Sequence, residues 1–256
     1  MTKYLKNNIK LILKKIKLFI SVNWFKTLFF NFKKFPFKTA IQLPVFFYGP
    51  VSFKDISGKI IIKAPIKKGM IGFGQRFEMI KKHKGNAELR LSGTLVFNGH
   101  AHIGKDVFIH ISKNAYCEFG FMGCLASDVK LICTNRIVIG SWAGIGFESQ
   151  LIDSNFHPYK DLKTKKDLPI SKPIYIGNNN SFSNRVSIMA GTITPNNCVV
   201  ASNSVCNKDY TNYGEYILLG GIPAKLLKDN FARDWDIEKS SLLKSKILWQ
   251  NYNDLL

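Results

Sequence analysis

The sequence predicts an all-β chain, a parallel β-helix wound from hexapeptide repeats, with a basic helical segment before it and a helix after it. Three observations carry this expectation. An apolar residue returns at every sixth position, a small or apolar residue follows four places later, and Gly, Asn, Asp and Lys separate short apolar triplets.

The period is read by stepping in sixes from Phe97 through Ile103, Ile109, Ala115, Phe121, Ser127, Cys133, Ile139 and Ile145 to Leu151. All but Ser127 are apolar, in a chain that is 46% apolar as a whole. The phase breaks for one long excursion and resumes at Ile176, Phe182, Ile188, Thr194 and Val200. Neither an amphipathic helix nor an alternating strand has a period of six. A hexapeptide coil does, because each repeat makes one short strand and one turn, and stacked coils bury a continuous apolar column.

The remainder divides around that repeat. Residues 1–50 read as a basic amphipathic segment, 51–210 as the β-helix with an excursion at about 152–173, and 211–256 as a closing segment and helix. Ten lysines and no acid lie between Met1 and Lys38, and the first acid is Asp55. Ile9, Ile12, Leu13, Ile16 and Ile20 recur at helical spacing, and an aromatic cluster from Trp24 to Phe37 follows. A basic helix with an aromatic edge suits an anionic membrane surface; the alternative is a helix packed on the body. On the membrane reading, a chain starting near Thr39 is expected to remain folded. The net charge of +20 favours anionic partners, but no nucleic-acid motif accompanies it.

The apolar run at Leu18–Val22 is too short for a span or a secretory core. Five cysteines without a CxxC pair fit free thiols in a reducing compartment. The expected location is therefore the cytoplasm, peripheral at the inner membrane face. The tail from Ala224 reads as helical, with Leu242, Leu243, Ile247 and Leu248 on one stripe.

Between Ile137 and Lys225 the sequence resembles the hexapeptide-repeat acyltransferase superfamily, in particular bacterial sugar and polysaccharide O-acetyltransferases. IVIGSWAGIGFESQLIDSNFHPY is similar to their two repeats and His-bearing excursion. KPIYIGNNNSFSNRVSIMAGTITPNNCVVASNSVCNKD is similar to their coenzyme-binding coils, and GGIPAK to their closing motif. The resemblance implies a left-handed winding, against the general preference for right-handed crossovers. It also implies a homotrimer with sites between subunits, and acetyl-CoA as co-substrate.

By the same resemblance His157 is the general base. A sugar hydroxyl becomes a competent nucleophile when a base takes its proton during attack on the thioester, and imidazole, ordinarily near pKa 6.5, suits that task. Asp153 is a candidate to orient the ring or hold the acceptor; a turn-capping role is its alternative, and Glu148 is the reserve. Asn184 falls where a donor near the thioester sits and Gly191 where close approach is needed. Ser202, Asn207 and Lys208 line the expected pantetheine and phosphate track, with Lys225 and Lys228 within reach of the nucleotide phosphates. Ser181, Asn207 and Ile222 depart from the family's usual Trp, Thr and Asn. His100, His102 and His110 read as structural, and no metal site is expected, since no His-x4-His pair occurs.

The function these features imply is acetyl transfer from acetyl-CoA to a hydroxyl of a surface glycan or its lipid-linked precursor. Two alternatives remain at this stage: transfer to a small soluble acceptor, such as a nucleotide-sugar amine or serine, or a non-catalytic membrane or assembly module.

Overall fold

A computed structural model describes residues 19–75 and 85–244, together with positions 13 and 16. Three parallel sheets form the faces of a triangular prism, the architecture of a left-handed parallel β-helix. The first face runs from β1 (Val45–Phe47) through β4 (Ile71–Phe73), β7 (Ala101–Ile103), β10 (Gly123–Leu125), β13 (Gly144–Ile145), β18 (Ser181–Phe182) and β20 (Cys198–Val200) to β22 (Ile217–Gly221). The second runs from β2 (Val51–Asp55) to β21 (Val205–Cys206), and the third from β3 (Lys59–Ile62) to β17 (Ile174–Ile176).

Each strand turns alternate side chains inward, and the register stacks them into columns. On the first face Phe47, Phe73, Ile103, Leu125, Ile145, Phe182, Val200 and Leu219 pair in succession. On the third, Phe97, Phe119, Ile139 and Ile176 do the same. The rings of Phe47 and Phe73 stack at 5.0 Å and those of Phe97 and Phe119 at 5.2 Å. The chain bends at corners where one residue takes a positive φ: Asp106, Asp128, Glu148, Arg185 and Asn203 recur at the corner between the first and second faces. Asp and Asn tolerate that conformation better than most side chains.

The phase of six is strict only late in the chain. Phe182 stacks on Val200, one 18-residue coil away, whereas Ile103 to Leu125 and Leu125 to Ile145 span longer coils. In those coils the strands β8 (Phe108–Ile111), β9 (Tyr116–Phe119), β11 (Lys130–Cys133) and β12 (Arg136–Ile139) have four residues each. Phe121 therefore sits half-buried at a corner, and the place on Ile103 that an 18-residue step gives it belongs to Leu125. Adding residues in pairs keeps the inward parity of a strand, so the apolar pattern survives the slip.

At the far end β22 turns back antiparallel into β23 (Ala224–Lys228) through Ile222–Pro223, a cis peptide. This corrects the helical expectation for the tail, which holds only from Trp235, where α3 (Trp235–Lys244) begins. The side chains of the expected leucine stripe lie outside the described residues, as does most of the helix expected over Ile9–Ile20.

At the near end α1 (Trp24–Lys34) lies across the first coil, followed by the short α2 (Phe37–Ala40). Thr27, Phe30 and Asn31 are buried. Phe30 packs edge-on against Phe47 at 5.0 Å and beside Phe53 at 5.5 Å. The exposed edge of β1 is satisfied by the helix. Asn31 donates through Nδ2 to the Val45 carbonyl (2.7 Å) and accepts from the Val45 N–H (3.2 Å); Thr27 Oγ1 accepts from the Phe47 N–H (3.0 Å), and the Asn23 N–H donates to the Phe47 carbonyl (2.7 Å). Lys34 reaches over the corner between the second and third faces and donates to the carbonyls of Ile56 (2.7 Å) and Gly58. Burial first, and the neighbouring Lys33 next, hold its ammonium below the usual lysine range. The packing alternative of the sequence reading thus applies to α1, and the expectation that a chain starting near Thr39 stays intact loses its basis. Among the described residues, no helix is long and apolar enough to cross a membrane.

Candidate active site

His157 stands on a hairpin that leaves the prism at the corner between the second and third faces. The excursion begins after β14 (Gln150–Ile152) and returns at β17. Its base is clamped by a bridge between Ser154 and Ser171, by the Asn155 N–H donating to the Ile170 carbonyl (2.8 Å), and by the Lys172 N–H donating to the Asp153 carbonyl (3.0 Å). Further out β15 (Tyr159–Lys160) pairs antiparallel with β16 (Asp167–Leu168). Asp161 accepts from the Lys163 and Thr164 N–H groups and closes the tip. These bonds hold the hairpin open to solvent, and His157 is exposed with no hydrogen-bond partner among the described residues.

Asp153 does something else. It is fully buried. Its Oδ1 accepts from the Thr134 N–H (2.7 Å) and hydroxyl (2.8 Å), and its Oδ2 accepts from the Asn135 N–H (2.8 Å). Both oxygens are thereby engaged by the coil below, where the carboxylate fixes the turn after β11 and anchors the root of the hairpin. That is the turn-capping role, and the structure shows no hydrogen bond from it to His157. Replacing Asp153 with Asn presents an amide N–H₂ to backbone donors. We expect Asp153→Asn to cost about 1–3 kcal/mol of stability, read as a lowered melting temperature, while turnover of the folded fraction stays within about twofold of the parent. A large loss of turnover at unchanged stability would return Asp153 to the chemistry.

Glu148 lies at a different corner. It pairs with Arg185 of the next coil between the first and second faces. The ion pair raises the Arg185 pKa, and Glu148 is not beside the hairpin.

The expected coenzyme residues divide between two corners. Asn184 and Ser202 follow β18 and β20 at the corner between the first and second faces, where the Asn203 N–H donates to the Asn184 carbonyl (3.1 Å). Lys225 lies at that end of the last strand pair, opposite Gly220. Gly191, Asn207 and Lys208 lie instead at the second–third corner, directly following the hairpin coil. Gly191 has φ +83°, a conformation that favours glycine, and a Cβ there would come 3.2 Å from Cδ of the flexible Lys172 side chain. The Asn207 N–H donates to the Tyr210 hydroxyl (3.2 Å), and the Lys208 ammonium lies over the rings of Tyr210 (5.5 Å) and Tyr213 (5.8 Å). Within one chain the two sets are separated by the width of the second face.

Sequence reasoning passed over Lys172, whose side chain closes the hairpin against Gly191, and the Tyr210–Tyr213 pair that seats Lys208. The signal for Lys172 was its place just before the repeat resumes, beside Pro173. Ser181, noted as a departure, accepts from Arg233 (3.2 Å), which also pairs with Glu238. The tail therefore folds back over the first face, and Trp235 meets Trp142 at 6.3 Å.

The cysteines and the remaining described histidines lie within the coils. Burial pushes the thiols of Cys124, Cys198 and Cys206 up to about 12, and that of Cys117 upward as well; none is set up as a thiolate nucleophile. His102 bonds Gln75 Oε1 (2.7 Å), and burial lowers both His100 and His102 to about 4. His110 Nε2 meets the Ser112 hydroxyl (3.0 Å), while its Nδ1 is buried without a partner among the described residues.

No family model and no curated protein matches the chain. Among solved structures, the polySia-specific acetyltransferase NeuO is similar at 18% identity, over 72% of this chain and 88% of its own, with a TM-score of 0.45. A hexapeptide-repeat-containing acetyltransferase from Vibrio cholerae, complexed with acetyl coenzyme A, is 24% identical over 52% of this chain and 66% of its own, with a TM-score of 0.37. The polysialic acid O-acetyltransferase OatWY is 20% identical over 72% of this chain and 91% of its own, with a TM-score of 0.32.

Proposed function

We propose that the protein is an acetyl-CoA-dependent O-acetyltransferase that uses His157 as general base on a hydroxyl of a glycan. The observation that carries this reading is the ordered hairpin: it holds an exposed imidazole with no structural hydrogen bond next to the coils whose sequence resembles coenzyme-binding coils. In the reaction His157 takes the proton of the acceptor hydroxyl as that oxygen bonds to the thioester carbonyl carbon. The tetrahedral oxyanion then collapses, the C–S bond breaks, and the imidazolium returns the proton to the departing thiolate. The products are the acetyl ester and free coenzyme A. No acyl-enzyme is needed, in keeping with the buried, protonated thiols.

A homotrimer accounts for the division of the coenzyme residues. In this reading the second–third corner of one subunit, with its hairpin, meets the first–second corner of the next, so that His157 and Lys208 face Asn184 and Ser202 across the seam. The exposed Phe156, Tyr159, Leu168 and Ile170 of the hairpin give such a seam apolar surface. The location we infer is cytoplasmic and peripheral to the membrane, with a lipid-linked precursor as an acceptor.

Thiol release from acetyl-CoA, measured across a panel of glycan acceptors, tests the activity; no acceptor-dependent release from the intact protein would refute it. Lys208 binds a non-reacting part of the donor in this scheme. Lys208→Glu should therefore raise the KM for acetyl-CoA about tenfold or more with a smaller change in kcat. A fall in kcat at constant KM would move Lys208 to the chemistry.

A further inference from the structure

The helix that closes the near end of the prism has two faces with different fates. Thr27, Phe30, Asn31 and Lys34 face the coil and are engaged there. On the opposite side Phe25, Leu28 and Phe32 form an i, i+3, i+7 stripe that stays exposed, Phe25 at 76%, while Phe29 beside them stacks on Phe53 of the prism at 6.1 Å. Phe37, 72% exposed, leans on Phe32 at 6.1 Å and extends the stripe onto α2. An apolar stripe on a helix already docked by its other face is unpartnered surface of the kind that marks an interaction site.

Its charge narrows the partner. Lys33 flanks the stripe and Lys38 lies beyond it, Lys26 turns its ammonium over the Phe53 ring at 5.0 Å, and the sequence has no acid before Asp55. Protein interfaces mix both signs, whereas a helix with aromatic residues on one side and uncompensated lysines at its flank matches the boundary of an anionic bilayer.

We propose that the α1 end of the prism docks on an anionic lipid surface, apolar stripe inserted and lysines at the headgroups, with the coil axis standing off the membrane. The hairpin then lies four coil steps away, about 20 Å at the usual spacing between neighbouring strands. Combined with the proposed function, on which this corollary alone rests, the preferred acceptor is a sugar hydroxyl on a chain reaching that far from its lipid anchor, rather than one at the headgroup.

The test is co-sedimentation of the full chain with phosphatidylcholine vesicles with and without phosphatidylglycerol, a readout independent of activity. The intact protein should pellet with the anionic vesicles and be released as salt rises from about 50 to 500 mM. Phe25→Ser/Phe32→Ser/Phe37→Ser and Lys33→Glu/Lys38→Glu should each weaken that binding about tenfold or more, with melting temperature and transfer to a soluble acceptor unchanged. If the triple variant is destabilised, Phe25→Ser alone, at the most exposed position of the stripe, serves with an expected loss of about threefold. Equal partitioning of variants and parent overturns the proposal, as does equal binding to neutral vesicles. A change in solution mass without a change in vesicle binding also overturns it, and assigns the stripe to a second copy of the chain.

Discussion

His157→Ala should lower turnover about 100- to 10,000-fold, the range for loss of a positioned general base, while leaving the fold intact. The hairpin makes this a clean substitution. Its base is tied by Ser154, Asn155, Ile170 and Lys172, its tip by Asp161, and none of those bonds passes through the imidazole. The melting temperature should therefore move by no more than a surface change allows, about 0.5 kcal/mol or less. The KM for acetyl-CoA should change little, because the lost group acts on the acceptor's proton. His157→Gln should behave the same way, which separates proton transfer from mere hydrogen bonding. Near-parental turnover in a folded His157→Ala protein would remove the residue from the mechanism and with it the proposed reaction.

What could be read from the sequence depended on whether a residue's neighbours lay nearby in the chain or one coil away. The inward columns from Ile176 onward follow directly from the period, since there each coil takes 18 residues, as Phe182 and Val200 show. Earlier the columns shift by pairs, so the places on Ile103 and Ile109 that an 18-residue step gives Phe121 and Ser127 are occupied by Leu125 and Leu131. The strand β23 carries a helical signal in sequence because Ala224–Lys228 holds good helix formers; pairing with the open edge of β22 overrides that preference. Asp153 shows the same limit at the site. Proximity to His157 in sequence suggested chemistry, whereas the donors that claim its oxygens lie 18 and 19 residues earlier, on the adjacent coil. The two corners that divide the residues expected to hold the coenzyme are likewise a property of winding, and no spacing along the chain displays it.

A chain beginning at Thr39 should fail to form the stable prism, because α1 supplies what the first coil lacks. Without residues before Thr39, the Val45 N–H and carbonyl lose Asn31, the Phe47 N–H loses Thr27, and the Phe47 carbonyl loses Asn23. Each unpaired group that stays buried costs about 1–3 kcal/mol, and those that reach water do so along an open edge that invites pairing with another chain. The Phe30 ring leaves as well, uncovering Phe47 and Phe53; the loss of such a buried ring alone costs about 3–5 kcal/mol. The sum rivals the whole stability of an ordinary domain, about 5–15 kcal/mol. The expected result is an aggregating product, or one whose first coils exchange amide hydrogens rapidly while the later coils remain protected, as a quasi-one-dimensional fold permits. Phe30→Ala and Asn31→Leu in the full chain should reproduce part of the effect, lowering the melting temperature while leaving the outward stripe in place. If the truncated chain instead melts like the parent, with protected first coils, α1 is an appendage and the capping role assigned to it is wrong.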